Sequence, residues 1–332
     1  MLIHKAILHI LDFHSGVSVF SQEEMGLSSD AAQEYIERHL QRIQNDAAKK
    51  PGQFLPGSAF AGRLQEYAQG RLSFIELSTI AANILYEQIS HADSQDSTDL
   101  LAVEFSDDAD TYLAFLLLSS REAYTHQVIR EGESARAELI RHYAILPGIS
   151  QKADAYALIR GSDFSVGFSD KKRLVDGKEI FLLPDVLLQC SSQLSPREAV
   201  KTISKIAAKV AEDHGASAAA AISRTKNYLM ENAETASSFS PAELGRQIFS
   251  DAPVLRQDFE RQLQESPLPE EVKIEKGQVV RTNKNHKLRT DTGVEITIPA
   301  GYFENQDYFE LINNPDGTMT IELKNIGKII NR

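Results

Sequence analysis

Of the chain's 332 residues, 47 are acidic and 35 are lysine or arginine, a formal net charge of -12. That balance excludes a histone-like protein that coats nucleic acid by bulk charge, so contact with a polyanion must come from local basic patches. The single cysteine, Cys190, excludes an intramolecular disulfide and a multi-cysteine zinc site. Its apolar neighbours Val186, Leu187 and Leu188 predict a buried structural thiol.

The hydrophobic content of 42% and the length allow two or three domains with their own cores. The opening MLIHKAILHILDFHSG is interrupted by His4, Lys5 and His9, and no small-residue cleavage site follows, so it does not read as a secretory signal. No stretch reaches the length of a membrane span. The expectation is a soluble, cytoplasmic protein.

In chain order, 5–13 and 16–22 read as a first strand and its hairpin partner. A helix is predicted over 30–48, where Ile36, Leu40 and Ile43 share a face, followed by a short one over 60–68. Ser73 and Glu76 form a capping-box pattern that opens a third helix running to 89. Strands follow at 100–105 and 112–118 around a polar turn, then at 124–130, 137–145, 155–160 and 164–168. Short connections favour a mainly antiparallel, meandering sheet. From 195 to 266 the pattern is helical, with segments starting at Ser195-Pro196, Ser217, Ser240-Pro241 and Val254. Ser266-Pro267-Leu268-Pro269 is a rigid break. Beyond it come short strands, including 294–298 and a hairpin of 308–312 with 319–323 around Asn314-Pro315-Asp316-Gly317. The fold class expected is α+β: a mainly antiparallel sheet with inserted N-terminal helices over 1–190, a helical segment over 191–268, and a small β-rich region over 269–332.

The most informative stretch begins at Ser195. Ser195 and Glu198 make a capping box, Pro196 suits the first turn, and Gly215 follows as a stop. Arg197, Lys201, Lys205 and Lys209 recur at every fourth residue, while Val200, Ile203, Ile206, Ala207 and Val210 occupy another face. The four cations make a ridge about 18 Å long at about 1.5 Å per residue. Duplex DNA presents a phosphate about every 1.7 Å of axis, so the ridge can meet several of them. A merely solvated amphipathic helix produces the same pattern. A second basic cluster lies in the tail, with Lys276, Arg281, Lys284, Lys287 and Arg289 alongside His286. A third is Lys171, Lys172 and Arg173, with Lys178, on a hairpin after Asp170. Aromatic residues are not interleaved with these cations, which favours backbone contact with a duplex over base stacking on single strands.

Enzyme-like patterns are weak. Asp316, Glu322 and Lys324 mimic the carboxylate–carboxylate–lysine set of metal-dependent nucleases, although Asp316 is explained by its turn. Glu104, Asp107, Asp108 and Asp110 lack the glycine and distal glutamate of an EF-hand loop. His4 and His9 fall on opposite faces of a regular strand, which disfavours a shared metal. No nucleophile elbow, Walker loop or dinucleotide fingerprint is present. No catalytic residue, metal ligand or cofactor is assigned.

The segments IHKAILHILD, DAYALIRGSDFSVGF and FLLPDVLLQCSSQLSPREAVKTISKIAAKVAEDHG, with TDTGVEITIPAGYF in the tail, resemble the bacterial 37-kDa nucleoid-associated protein family, also called NdpA. The resemblance spans nearly the whole chain. It implies a cytoplasmic, nucleoid-associated protein that binds double-stranded DNA without known catalysis, and it supplies no set of DNA-contacting residues. The DNA-binding candidates Arg197, Lys201, Lys205, Lys209, Lys171, Lys172, Arg173, Arg281, Lys284, Lys287 and Arg289 therefore come from charge alone. A homodimer, presenting each patch twice, would offset the acidic background. Two other readings stay open: an acidic adaptor that docks other nucleoid proteins, and the metal-dependent nuclease.

Overall fold

The computed structural model describes residues 1–13, 16–95, 97–132, 134–274, 285–303, 305, 307–314 and 318–328. The chain divides into two compact units, Met1–Gln193 and Leu194–Arg332. Their architecture confirms the α+β class.

The first unit runs β1 (Leu2–Asp12), β2 (Val17–Val19), α1 (Asp30–Gln44), β3 (Lys50–Gly52), α2 (Ala59–Ala68), α3 (Phe74–Ser90), β4 (Thr98–Asp107), β5 (Asp110–Ser119), β6 (Arg121–Glu131), β7 (Ser134–Ile145), β8 (Ala155–Arg160), β9 (Val166–Ser169), β10 (Lys172–Val175) and β11 (Lys178–Phe181). A wide helical turn, Leu182–Leu188, follows. Seven strands form one antiparallel sheet in the order β2-β1-β4-β5-β8-β9-β3.

The central strands are apolar at nearly every position because both faces of the sheet are covered. Successive residues of β4 and β5 alternate between two cores. Leu100, Ala102, Leu113, Phe115 and Leu117 pack against α2, α3 and the wide turn through Phe60, Leu64, Leu77, Leu85 and Leu187. Leu101, Val103, Phe105, Ala114, Leu116 and Leu118 face Ile36, Leu40 and Ile43 of α1. Each such leucine contributes about 1.5–3 kcal/mol by leaving water, so this three-layer core dominates the unit's stability.

The meander expected across the middle of the chain is interrupted. β5 pairs directly with β8, and among the described residues β6 and β7 pair only with each other, as a separate two-stranded arm. Between Arg121 and Ile145 no described side chain is buried. Polar side chains on both faces of these two strands bar them from the sheet's interior, whereas Ala155–Arg160 fits beside β5.

The second unit holds α4 (Pro196–Asp213), α5 (Ala218–Thr235), β12 (Ser238–Phe239), α6 (Pro241–Ile248), α7 (Pro253–Gln264), β13 (Val272–Lys273), β14 (Asn285–Arg289), β15 (Glu295–Pro299), α8 (Ala300–Phe303), β16 (Phe309–Asn313) and β17 (Met319–Leu323). Ile203, Val210, Leu229, Leu244, Ile248 and Phe259 form its helical core. A smaller core of Ile298, Phe303 and Phe309 joins the two tail hairpins, with Ala219 of α5 packed against it. Helices α6 and α7 touch closely: a Cβ at Gly245 would lie 2.3 Å from Phe259 Cδ1.

Candidate nucleic-acid interface

Helix α4 starts and stops as its sequence dictates. Glu198 N–H donates to Ser195 Oγ at 3.2 Å, and Glu198 Oε2 accepts from Ser195 N at 3.0 Å and from its hydroxyl at 2.9 Å. At the other end Gly215 adopts φ +72°, the left-handed conformation that glycine tolerates. Gly215 N then bonds Glu212 O at 3.0 Å and Ala216 N bonds Ala211 O at 2.7 Å, which closes a Schellman motif. The second Ser-Pro-x-Glu start behaves differently. Ser240 makes no side-chain cap, and Glu243 pairs with Arg246 at 3.3 Å instead of closing a capping box.

The helix buries Ala199, Ile203, Ile206, Ala207, Val210 and Ala211. Arg197, Lys201, Lys205 and Lys209 are all exposed. None of the four carries an ion pair among the described residues. Glu198, the acid three positions before Lys201, is turned back onto Ser195. The ridge is thus a row of uncompensated cations on a rigid support.

The hairpin cluster is built otherwise. Arg173 Nη1 lies 3.0 Å from Asp170 Oδ1, and the two side chains are 12% and 0% exposed. Asp170 Oδ2 also accepts from Leu183 N at 2.8 Å, tying β10 to the start of the wide turn. Burial nonetheless pushes the Asp170 carboxyl above its usual range, and Arg173 and the backbone donors offset only part of that. Lys172 pairs across the hairpin with Glu179 at 2.6 Å. Lys171 is exposed, with no ion pair among the described residues.

In the tail, Lys287 and Arg289 share the solvent face of β14, opposite Thr297 and Glu295, while Leu288 and Ile296 turn to the small core. Arg289 lies 4.0 Å from Glu295, with both side chains more than 70% exposed. Arg281 and Lys284, like Lys276, lie outside the described residues. The structure therefore places α4 and β14 in one unit and Lys171–Arg173 in the other.

Of the nuclease pattern, Asp316 also lies outside the described residues. Lys324 pairs with Glu310 and sits 3.7 Å from Glu322, so it neutralises two carboxylates that face each other across the hairpin. The acidic set near β4 is dispersed among separate partners. Asp107 accepts from Gln44 at 3.0 Å, and Asp110 from Ser162 at 2.9 Å. Among the described residues no group of three metal-ligating side chains converges.

A feature not anticipated from sequence is a cavity of about 760 Å³ in the first unit, lined by Lys5, Tyr67, Phe74, Glu104, Tyr112 and Phe164. Its polar centre is internally satisfied. Lys5 Nζ donates to Tyr67 Oη at 2.9 Å and pairs with Glu104 at 3.2 Å, and Tyr67 donates to Glu104. The ammonium also lies 5.3 Å and 5.8 Å from the ring centres of Tyr67 and Phe74. Burial and Glu104 push the Tyr67 hydroxyl up to about 12. The available signal was Lys5 and Glu104 interrupting apolar strands, which the register pairs directly.

His9 is fully buried and fully bonded. Its Nδ1 accepts from Ser21 N at 3.1 Å, so the proton sits on Nε2, which donates to Ser78 Oγ at 3.0 Å. His4 instead meets Ser106 Oγ at 3.0 Å, so the two histidines share no site. Cys190 is buried, and its thiol is pushed up to about 11 by desolvation.

No described helix is long and apolar enough to cross a membrane. Comparison with curated proteins yields no match. A protein family does match: residues 7–330 align with NA37, described as nucleoid-associated protein YejK, a span that takes in both units and every basic cluster described above, and the chain belongs to this nucleoid-associated family.

Proposed function

We propose that the protein binds duplex DNA directly, with little sequence preference, and that the α4 ridge is its principal contact. The observation that carries this reading is the row formed by Arg197, Lys201, Lys205 and Lys209, exposed and without acid partners among the described residues, in a chain of net charge -12. A cation already paired must give up its carboxylate before it can neutralise a phosphate; an unpaired one need not. Three of the four cations are lysines, which meet phosphates as point charges, so phosphate contact with low sequence discrimination is the expected mode. Lys287 and, through its loose pairing, Arg289 supply a further contact from the same unit. The reading is one of binding, not catalysis. Lys324, the lysine of the nuclease pattern, is engaged by two carboxylates.

The test is fluorescence anisotropy of a labelled duplex with purified protein in EDTA across a range of salt. A log–log slope of roughly -3 to -6, corresponding to about three to seven neutralised phosphates, is expected. Absence of binding at low salt would overturn the proposal and favour an acidic adaptor brought to the nucleoid by another protein.

A further inference from the structure

The sheet face that packs against α2 and α3 is apolar along most of β4 and β5, but near the β4–β5 turn it carries charge. Lys5 and Glu104 stand opposite each other across β1 and β4, with Leu113 of β5 beside Glu104. They form the floor of the cavity of about 760 Å³, whose walls are Leu64, Tyr67, Leu72, Phe74 and Phe164. A partly buried ion pair gains little over an apolar pair of the same volume, so stability alone does not call for one there. Phe164 is the second anomaly. Its backbone has φ +54°, a left-handed conformation that a bulky residue rarely adopts. Glycine or asparagine would take that turn at lower cost, so what Phe164 adds is a ring in the cavity wall. The turn is locked in place: Phe164 N donates to Arg160 O at 3.0 Å and Gly161 N to Thr111 O at 2.7 Å. Ser162 Oγ donates to Asp110 Oδ1 at 2.9 Å. Strained backbone held from several sides is characteristic of ligand clamps.

We infer that this cavity binds a small, uncharged nitrogen heteroaromatic ring with a hydrogen-bond acceptor and a donor side by side on one edge, the chemistry of a free nucleobase or nucleoside. The Lys5–Tyr67–Glu104 network is satisfied but not saturated. Of the three ammonium N–H groups, one goes to Tyr67 Oη at 2.9 Å and one to Glu104 at 3.2 Å. No third acceptor is in reach of Lys5 among the described residues. Glu104 receives Lys5 on Oε1 and Tyr67 on Oε2, which leaves each oxygen a lone pair. The floor therefore offers a donor and an acceptor 3.2 Å apart, matched to the paired bonds of an amidine or lactam edge. The rings of Tyr67, Phe74 and Phe164 provide stacked or edge-to-face contact for a planar ligand. Charge narrows the class further. A cationic ligand would meet the Lys5 ammonium. An anionic one would meet Glu104 and Glu24, which is exposed at the rim with no ion pair among the described residues. Asp110, the remaining acid of the lining, is held by Arg160 at 3.5 Å. The site thus selects an uncharged ring over its phosphorylated forms, and it does not depend on duplex contact by the other unit.

The probe is 2-aminopurine riboside, whose fluorescence falls on stacking and can be excited apart from tyrosine in a chain that has no tryptophan. Titrating it with the full chain, without DNA, should give saturable quenching with a midpoint on the order of 100 µM, as expected for a ligand of that size. Lys5→Met removes the floor donor and should weaken binding about 10-fold or more. Phe164→Gly suits the backbone but removes the wall, and should weaken it similarly. Circular dichroism checks both proteins, and because the two residues lie on different elements, either one decides if the other fails to fold. The riboside 5′-monophosphate should bind more weakly than the riboside, and Glu24→Gln should narrow that gap. An unlabelled single-stranded oligonucleotide should not displace the probe. Displacement at lower concentration than by unlabelled nucleoside would give the site to bases within nucleic acid and overturn the small-molecule assignment. Absence of quenching up to about 1 mM, or quenching unchanged in the folded Lys5→Met and Phe164→Gly proteins, overturns the inference as a whole.

Discussion

Arg173 and Lys201 both sit in short clusters of basic residues, yet the structure gives them opposite electrostatic lives. Arg173 is almost wholly buried against Asp170, and its neighbour Lys172 is held by Glu179. Lys201 and its three ridge companions project into solvent with no acid in range among the described residues. One cluster uses its charge to assemble a hairpin; the other leaves its charge available to a ligand. Counting lysines and arginines along a sequence therefore overstates the surface that can meet phosphate. The difference lies in whether an acid is placed within reach and out of water.

The sharpest break in this contrast is replacement of Arg197, Lys201, Lys205 and Lys209 together by alanine. Duplex affinity is expected to fall by about 100-fold or more at low salt, uniformly across sequences, and the salt slope should flatten by about 4. The melting behaviour of the protein should barely change, because these side chains touch no core. Arg173→Ala should do the reverse. It strands a buried carboxylate and is expected to cost about 2–4 kcal/mol of stability in urea titrations, with duplex affinity unchanged in the folded protein. A loss of affinity without a loss of stability would show that Arg173 belongs to the DNA surface after all.

Acid probes the unit that satisfies its polar groups internally. Burial holds the His9 imidazole down at about 4, against an ordinary value near 6.5, so the unfolded chain takes up its proton first as pH falls. The His9 contribution is thus complete above about 6.5 and is lost towards 4, a change on the order of 3 kcal/mol. Asp99, pushed up to about 6 by burial, runs the other way over much of that window. Subtracting the pH profile of His9→Asn, which can keep the acceptor for Ser21, isolates the histidine. The wild type should lose stability relative to the variant between pH 6.5 and 4, and parallel profiles would refute the assignment. The smallest effect is expected of Lys172→Ala, which removes an exposed pair worth less than about 0.5 kcal/mol and should leave binding untouched.

Much of this was legible in the sequence, and unevenly so. Helix α4 was readable to its ends, because a capping box, an early proline and a terminal glycine are local signals with local causes. The hairpin of β4 and β5 was equally plain. The exclusion of β6 and β7 from the main sheet was not, because adjacency along the chain suggested a continuous meander. The clue was present in composition: both faces of Arg121–Glu131 carry polar groups, while Ala155–Ile159 is apolar throughout. The wide turn at Leu182–Leu188 and the edge strand Lys50–Gly52 depend on distant partners, and no short-range pattern announces them. At the candidate site, the spacing of the ridge was legible but its freedom from acids was not. Asp170 lies three residues from Arg173 just as Glu198 lies three from Lys201, and only the fold shows which acid is engaged elsewhere.

That last detail gives the start of α4 a second role. By drawing the Glu198 carboxylate back onto its own N–H and hydroxyl, Ser195 does more than begin a helix; it insulates the ridge. Without that hydroxyl, the Glu198 carboxylate would lose one of the two Ser195 donors that hold it, one turn from Lys201, and would compete more readily with any phosphate brought to the ridge. A residue with no charge, itself 1% exposed, thus sets how much charge its neighbours can offer.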